Sequence, residues 1–153
     1  LHPCLTPVFM GKLFPVLVPT LMAFQGVTER LGQGIYTPVV EDKIRAVADV
    51  AQTFMGKARN WGVPIAFGTD AGVFEHGRNA GEFALMRAQG MTNREALASA
   101  TTMAARVLEM ENEIGRLAPG YSADIIAVDG DPLADVTVLE DVDWVMVRGR
   151  VID

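Results

Sequence analysis

Asp70 and His76 sit in the stretch AFGTDAGVFEHGRN, where an apolar run gives way to glycines. A carboxylate at the tip of a buried strand can take a proton from water and pass it to a leaving amine, and a histidine on the loop beyond it can be carried over a substrate. Each residue has a plainer alternative. The aspartate is also a common turn or cap residue after a strand, and a lone histidine is often a solvated loop residue or a hydrogen-bonding partner. The other histidine is His2. The single cysteine, Cys4, has no recognisable Cys-His-Asn arrangement around it, which favours a small buried hydrophobe over a nucleophile. GTDAG lacks the Lys and Ser/Thr of a phosphate-binding loop, which excludes that chemistry.

The elements that must position these groups follow from the hydrophobic pattern. PVLVPTLMAF (15–24) is apolar and bounded by turn-formers, as expected of a buried strand in a parallel sheet. After a polar loop, Ile44, Val47, Ala48, Ala51, Phe54 and Met55 recur at three and four residues. This predicts a helix of about five turns, from Pro38 to near Gly62, with Glu41 and Asp42 at its positive end. VPIAFGT (63–69) reads as a second short buried strand, with Asp70 at its C-terminal tip. NAGEFALMRAQG takes Asn79 as a cap with Glu82 three residues on. TNREALASATTMAARVLEM opens with Thr92 and Glu95 at the capping-box spacing and carries Ala96, Leu97, Ala100, Met103, Ala104 and Leu108 on one face. Met86, Met91 and Met103 fall at helical core spacing and read as packing. Strands alternating with helices argue for parallel βα units of an α/β sheet or barrel. Near residue 112 the texture changes to short β-rich runs, DIIAVD and DWVMVRG, so the expected division is 1–112 for the α/β part and 113–153 for a small β part.

The 153 residues, half of them hydrophobic, suffice for a sizeable core. Thirteen basic against nineteen acidic residues give a net charge of -6 with no gathered basic face, which argues against nucleic acid as a partner. The longest apolar run, Leu13 to Phe24, is interrupted by Pro15 and Pro19 and falls short of the roughly 20 residues that cross a bilayer, so no membrane span is expected. One cysteine makes the cytoplasm the default location. The opening LHPC has neither an initiator Met nor a charged leader, and reads as the start of a fragment.

GTDAGVFEHGRNAGEFALMRAQGMTNREALASATTMAARVLEMENEIGRLAPGYSADIIAVDGDPLADVTVLEDVDWVMVRGRVI resembles the C-terminal end of the metal-dependent amidohydrolase superfamily, in the branch of Xaa-Pro dipeptidases and imidazolonepropionases. The likeness is strongest over 63–153 and extends over 15–62. It rests on GTD at a strand end paired with IGRLAPGYSADIIAVDGDPL further along.

The resemblance implies the C-terminal portion of a (β/α)₈ TIM barrel, about its last two βα units, followed by part of a small β-sandwich whose other strands come from an N-terminal segment. VLVPTL is then similar to the seventh strand and PIAFGTD to the eighth. Asp70 becomes the carboxylate that binds a divalent metal, zinc being expected, and accepts a proton from the attacking water. His2 lies near the place of a metal-binding histidine after the sixth strand, although Pro7 and Pro15 do not suit the helix that should follow. His76 becomes a substrate-binding candidate. The implied reaction is hydrolysis of a C–N bond in a small amide or dipeptide: the metal lowers the pKa of its bound water and the carboxylate shuttles the proton.

The family pattern also calls for an HxH pair, a lysine and a further histidine from earlier strands, and a full barrel takes about 250 residues. This chain's two histidines form no HxH, and zinc held by Asp70 and His2 alone would fall short of the three protein ligands typical of catalytic zinc. The chain by itself is therefore not expected to complete the site. A partial barrel exposes strand edges, which predicts a homo-oligomer. The alternatives are a noncatalytic structural or interaction fragment and a cyclic-amide hydrolase resembling imidazolonepropionase. GVFEHGRNAGEFALM leans towards the dipeptidase-like branch.

Overall fold

The computed structural model describes residues 15–152, so His2 and Cys4 lie outside the described residues. The elements run α1 (Leu21–Glu29), α2 (Pro38–Ala51), α3 (Phe54–Asn60), α4 (Gly81–Ala88), α5 (Asn93–Ala100), α6 (Thr102–Val107), β1 (Ile125–Ala127), a 3-10 helix (Val136–Glu140), β2 (Trp144–Val147) and β3 (Arg150–Ile152). Among the described residues, no helix is long and apolar enough to cross a membrane.

The apolar run 15–24 divides where a single strand was expected. Leu17 makes one parallel bridge to Ile65: its N–H donates to the Pro64 carbonyl and its own carbonyl accepts from Ala66, both at 2.9 Å. Pro19 is buried, Thr20 turns into the left-handed region (φ 48°), and Leu21 begins a helix. Leu, Met, Ala and Gln are good helix formers, and a short apolar run does not by itself separate a strand from a buried helix. The strand expected over 63–69 is likewise reduced to this one bridge at Ile65, because Pro64 and Pro19 have no amide to extend the pairing, and the segment is pressed against the first. A Cβ on Gly68 would collide with Val18 Cγ1, so a residue with no side chain is required there.

Two long helices expected from periodicity are each broken once. Between α2 and α3 the chain turns at Gln52 and Thr53, and Gln89, at the end of α4, serves both loose ends. Its Nε2 donates to Ala51 O (3.2 Å) and its Oε1 accepts from Gly56 N (3.0 Å), satisfying groups that a helix break leaves open. Between α5 and α6 the break is at Thr101 (φ -118°, ψ -91°), whose carbonyl lies 2.7 Å from where a Cβ on Gly115 would stand. The α5 start is as expected: Thr92 Oγ1 accepts from Glu95 N (3.2 Å) and Glu95 Oε2 accepts from Thr92 N (2.7 Å), a complete capping box.

The start of α4 differs from expectation. Asn79 does not cap it, and Glu82 does not reach back to its own helix. Glu82 is wholly buried and points at α1, where its Oε1 accepts from Leu21 N (2.9 Å) and its Oε2 from Met22 N (2.7 Å). Burial pushes this carboxyl up to about 7, against the pull of the two amides.

One core cluster joins Leu21, Met55, Ile65, Met86 and Met91; a second joins Phe83 and Ala96 to Val136 and Leu139 of the 3-10 helix. Phe67 packs against both, with its ring 4.4 Å from that of Phe83. The C-terminal residues form an antiparallel sheet in the order β1-β2-β3. Ile126 pairs with Val145 and Val145 with Ile152, and Arg148-Gly149 makes a two-residue turn with both φ positive. Ile126, Val147, Val151 and Ile152 of this sheet are each about half exposed.

Two measurements follow. Thr92→Ala removes the cap of α5 and is expected to lower the unfolding free energy by about 1 kcal/mol in urea denaturation. For Glu82, between its ordinary 4.5 and about 7 the folded chain keeps a proton that the unfolded chain has released, so stability falls as pH rises through that window. Glu82→Gln is expected to flatten this part of the stability curve, and a curve parallel to the parent's would refute the account.

Candidate active site

Asp70 leaves the strand segment 63–69 exposed and in the left-handed region (φ 52°), a conformation that Asp tolerates better than most residues. Its carbonyl accepts from Val73 N (3.3 Å), closing a tight turn. Among the described residues its carboxylate makes no hydrogen bond or ion pair, which leaves it open to water or a ligand.

The loop from Asp70 to Arg78 is strapped to α1 by packing and by charge. Phe74 is buried against Gly26 of α1, where a Cβ on the glycine would stand 2.7 Å from Phe74 Cβ. Arg30, just past the end of α1, donates to the Val73 carbonyl and to Glu75 Oε1, the latter at 3.2 Å. Arg78 donates to both oxygens of Glu29 (2.9 Å each) and to Glu75 Oε2 (3.0 Å). The Arg78 guanidinium, with help from Gln25, holds the Glu29 carboxyl down at about 2. Glu75 is lowered by its own backbone amide and then by Arg78 and Arg30. These pairs are largely exposed, so they fix direction more than they add stability.

His76 lies on the same strapped loop, exposed and without a side-chain partner among the described residues. The structure thus brings Asp70 and His76 onto one loop, while His2 lies outside the described residues. A cavity of about 580 Å³ between α1, α2 and α4 is lined by residues such as Phe24, Ala51 and Leu85, and neither Asp70 nor His76 reaches it. Among the described residues no three His, Cys, Asp or Glu side chains gather to hold a metal ion. Catalytic zinc takes three protein ligands, so the residues present do not fit a divalent ion by themselves. Sequence reasoning missed Phe74, Arg30, Arg78 and the inward Glu82. Each acts across a long sequence separation, and no local spacing signals it.

Comparison with known proteins bears on this loop. The amidohydrolase family pattern matches residues 39–152. An uncharacterised protein of Mycobacterium tuberculosis is 37% identical over 142 residues, covering 88% of this chain and 35% of that protein. The crystal structure of a Xaa-Pro dipeptidase with methionine bound in its active site is similar with a TM-score of 0.85 and 37% identity, over 90% of this chain and 34% of that one. The imidazolonepropionase of Rubrobacter xylanophilus is 52% identical over 40 residues, 26% of this chain and 10% of that enzyme. The chain spans about a third of the length of the first two. The mixed helix and strand arrangement, with its single parallel bridge, fits part of the α/β TIM-barrel fold of these neighbours, in a family that is generally metal-dependent. The chain belongs to the amidohydrolase family.

Proposed function

We propose that this chain serves metal-dependent hydrolysis of the C–N bond in small amides of the dipeptide class, with Asp70 as the catalytic carboxylate. Asp70 takes a proton from the attacking water and returns it to the leaving amine, and His76 contacts the substrate from the same loop. One observation carries the reading: a partnerless, exposed carboxylate ends an apolar strand segment, in a chain 90% of which superposes on a Xaa-Pro dipeptidase.

Zinc is the proposed metal, with Asp70 and His2 among its donors and the remaining donors supplied from outside the described residues, by this protein or by another copy. The proposed division is 1–112 for the barrel part and 113–153 for sandwich strands. The half-exposed apolar residues of β1, β2 and β3 support a sheet that takes further cover and a chain that associates with itself. Two other readings have specific support. The match to an imidazolonepropionase favours a cyclic amide as substrate. The lack of a gathered donor set among the described residues favours a noncatalytic module.

The test is metal content by elemental analysis after exposure to zinc or manganese, together with turnover of a panel of dipeptides and cyclic amides. Near-stoichiometric metal is expected, with hydrolysis lowered about 10²-fold or more in Asp70→Asn. Absence of both metal and turnover would establish the noncatalytic reading. Light scattering should show a species larger than a monomer, and a monodisperse monomer would overturn self-association.

A further inference from the structure

Glu82 has no part in the proton transfer just described, yet it is the buried carboxyl of this fold. A glutamate in the first turn of a surface helix can stay in water at no cost; sinking it among apolar side chains is expensive unless its oxygens are bonded. Here both oxygens are bonded, to the first two amides of α1, across 60 and 61 residues of sequence. Those amides belong to Leu21 and Met22, directly after the left-handed turn at Thr20. Thr20 Cγ2 and Val18 Cγ1 in turn bound the space where Gly68 would carry a side chain. Gly68 stands two residues before Asp70. The same first turn of α4 also meets this segment directly, since Phe83, adjacent to Glu82, packs its ring on Phe67, the residue before Gly68.

We propose that Glu82 is a positioning residue for Asp70: by binding both leading amides of α1 it fixes the Thr20 turn, and the Thr20 turn and Phe67 together set the direction in which Gly68, Thr69 and Asp70 leave the strand. The inference rests on the reading of Asp70 as the catalytic carboxylate and adds a residue that never touches substrate. Glutamine at this position keeps the shape but only one acceptor oxygen, and alanine keeps neither, so the two substitutions are graded disturbances of a single link.

The experiment is amide exchange and two-dimensional NMR on the full, isotope-labelled chain, comparing the parent with Glu82→Gln and Glu82→Ala. Protection at Leu21 and Met22 is expected to fall about tenfold for each bond lost. The Gly68, Thr69 and Asp70 amide signals should move in the same order, alanine more than glutamine, while the signals of β1, β2 and β3 stay in place. If Leu21 and Met22 lose protection but Gly68 to Asp70 do not move, Glu82 is only a cap for α1 and the proposal falls. Unchanged protection at Leu21 and Met22 would also overturn it. Should Glu82→Ala fail to fold, the glutamine variant decides alone. The readout needs neither metal nor turnover, so the two readings fail separately: an Asp70→Asn variant that hydrolyses as fast as the parent would sink the catalytic role of Asp70, whereas the amide signals alone decide whether Glu82 positions the Asp70 segment.

Discussion

Leu17 gives its amide to Pro64 and its carbonyl to Ala66, and the rest of the molecule is arranged around that exchange. Two strand segments running side by side in the same direction end on the same edge. The turn into α1 and the turn through Asp70 are therefore neighbours, whatever the loops do. The ladder itself is short, because Pro15, Pro19 and Pro64 have no amide to donate. What continued pairing does in a longer sheet is done here by close approach. Gly68 lies flat against Val18, Phe67 meets Phe83, and Glu82 holds the first amides of α1.

The loop that carries Asp70 and His76 combines two kinds of restraint of unequal weight. Burying Phe74 against Gly26 contributes about 2 kcal/mol or more by area alone, whereas the ion pairs among Arg30, Arg78, Glu29 and Glu75 are exposed and screened by solvent, so they add little. The aromatic side chain anchors the loop. The charges decide which way its outer half faces, with Arg78 bound to both oxygens of Glu29. Such a loop keeps its exposed groups in place without burying them.

The parts that could be read from the sequence were those governed by short-range chemistry. The Thr92 and Glu95 box, the apolar stripe of α2 and the two β-rich runs all follow from spacing within a few residues, whereas the strand expected over 63–69 is reduced to a single bridge at Ile65. The misreadings share one cause. Leu21 to Phe24 became a helix in which Leu21 packs with Met55 and Met86 and Phe24 with Phe54, rather than on a strand neighbour. The breaks after Ala51 and at Thr101 depend on Gln89 and Gly115, each far along the chain. Glu82 has the spacing of a partner for Asn79, and no local rule distinguishes a glutamate that caps its own helix from one that caps another. Asp70 was legible as a position; what holds its loop was not.

The 3-10 helix gives the C-terminal residues an uneven mechanical character. Val136 and Leu139 are seated between α4 and α5, and Asn93 Nδ2 grips the carbonyls of Leu133 and Ala134 just ahead of them. Beyond this seat the chain is a hairpin in which Ile152 of β3 pairs with Val145 of β2, whose other side pairs with β1. Tension applied beyond Ile152 meets the pairs of β3 with β2 before it reaches the pairs of β2 with β1 and the seat. The β3 edge is thus loaded first, and the seat of Val136 and Leu139 on α4 and α5 last.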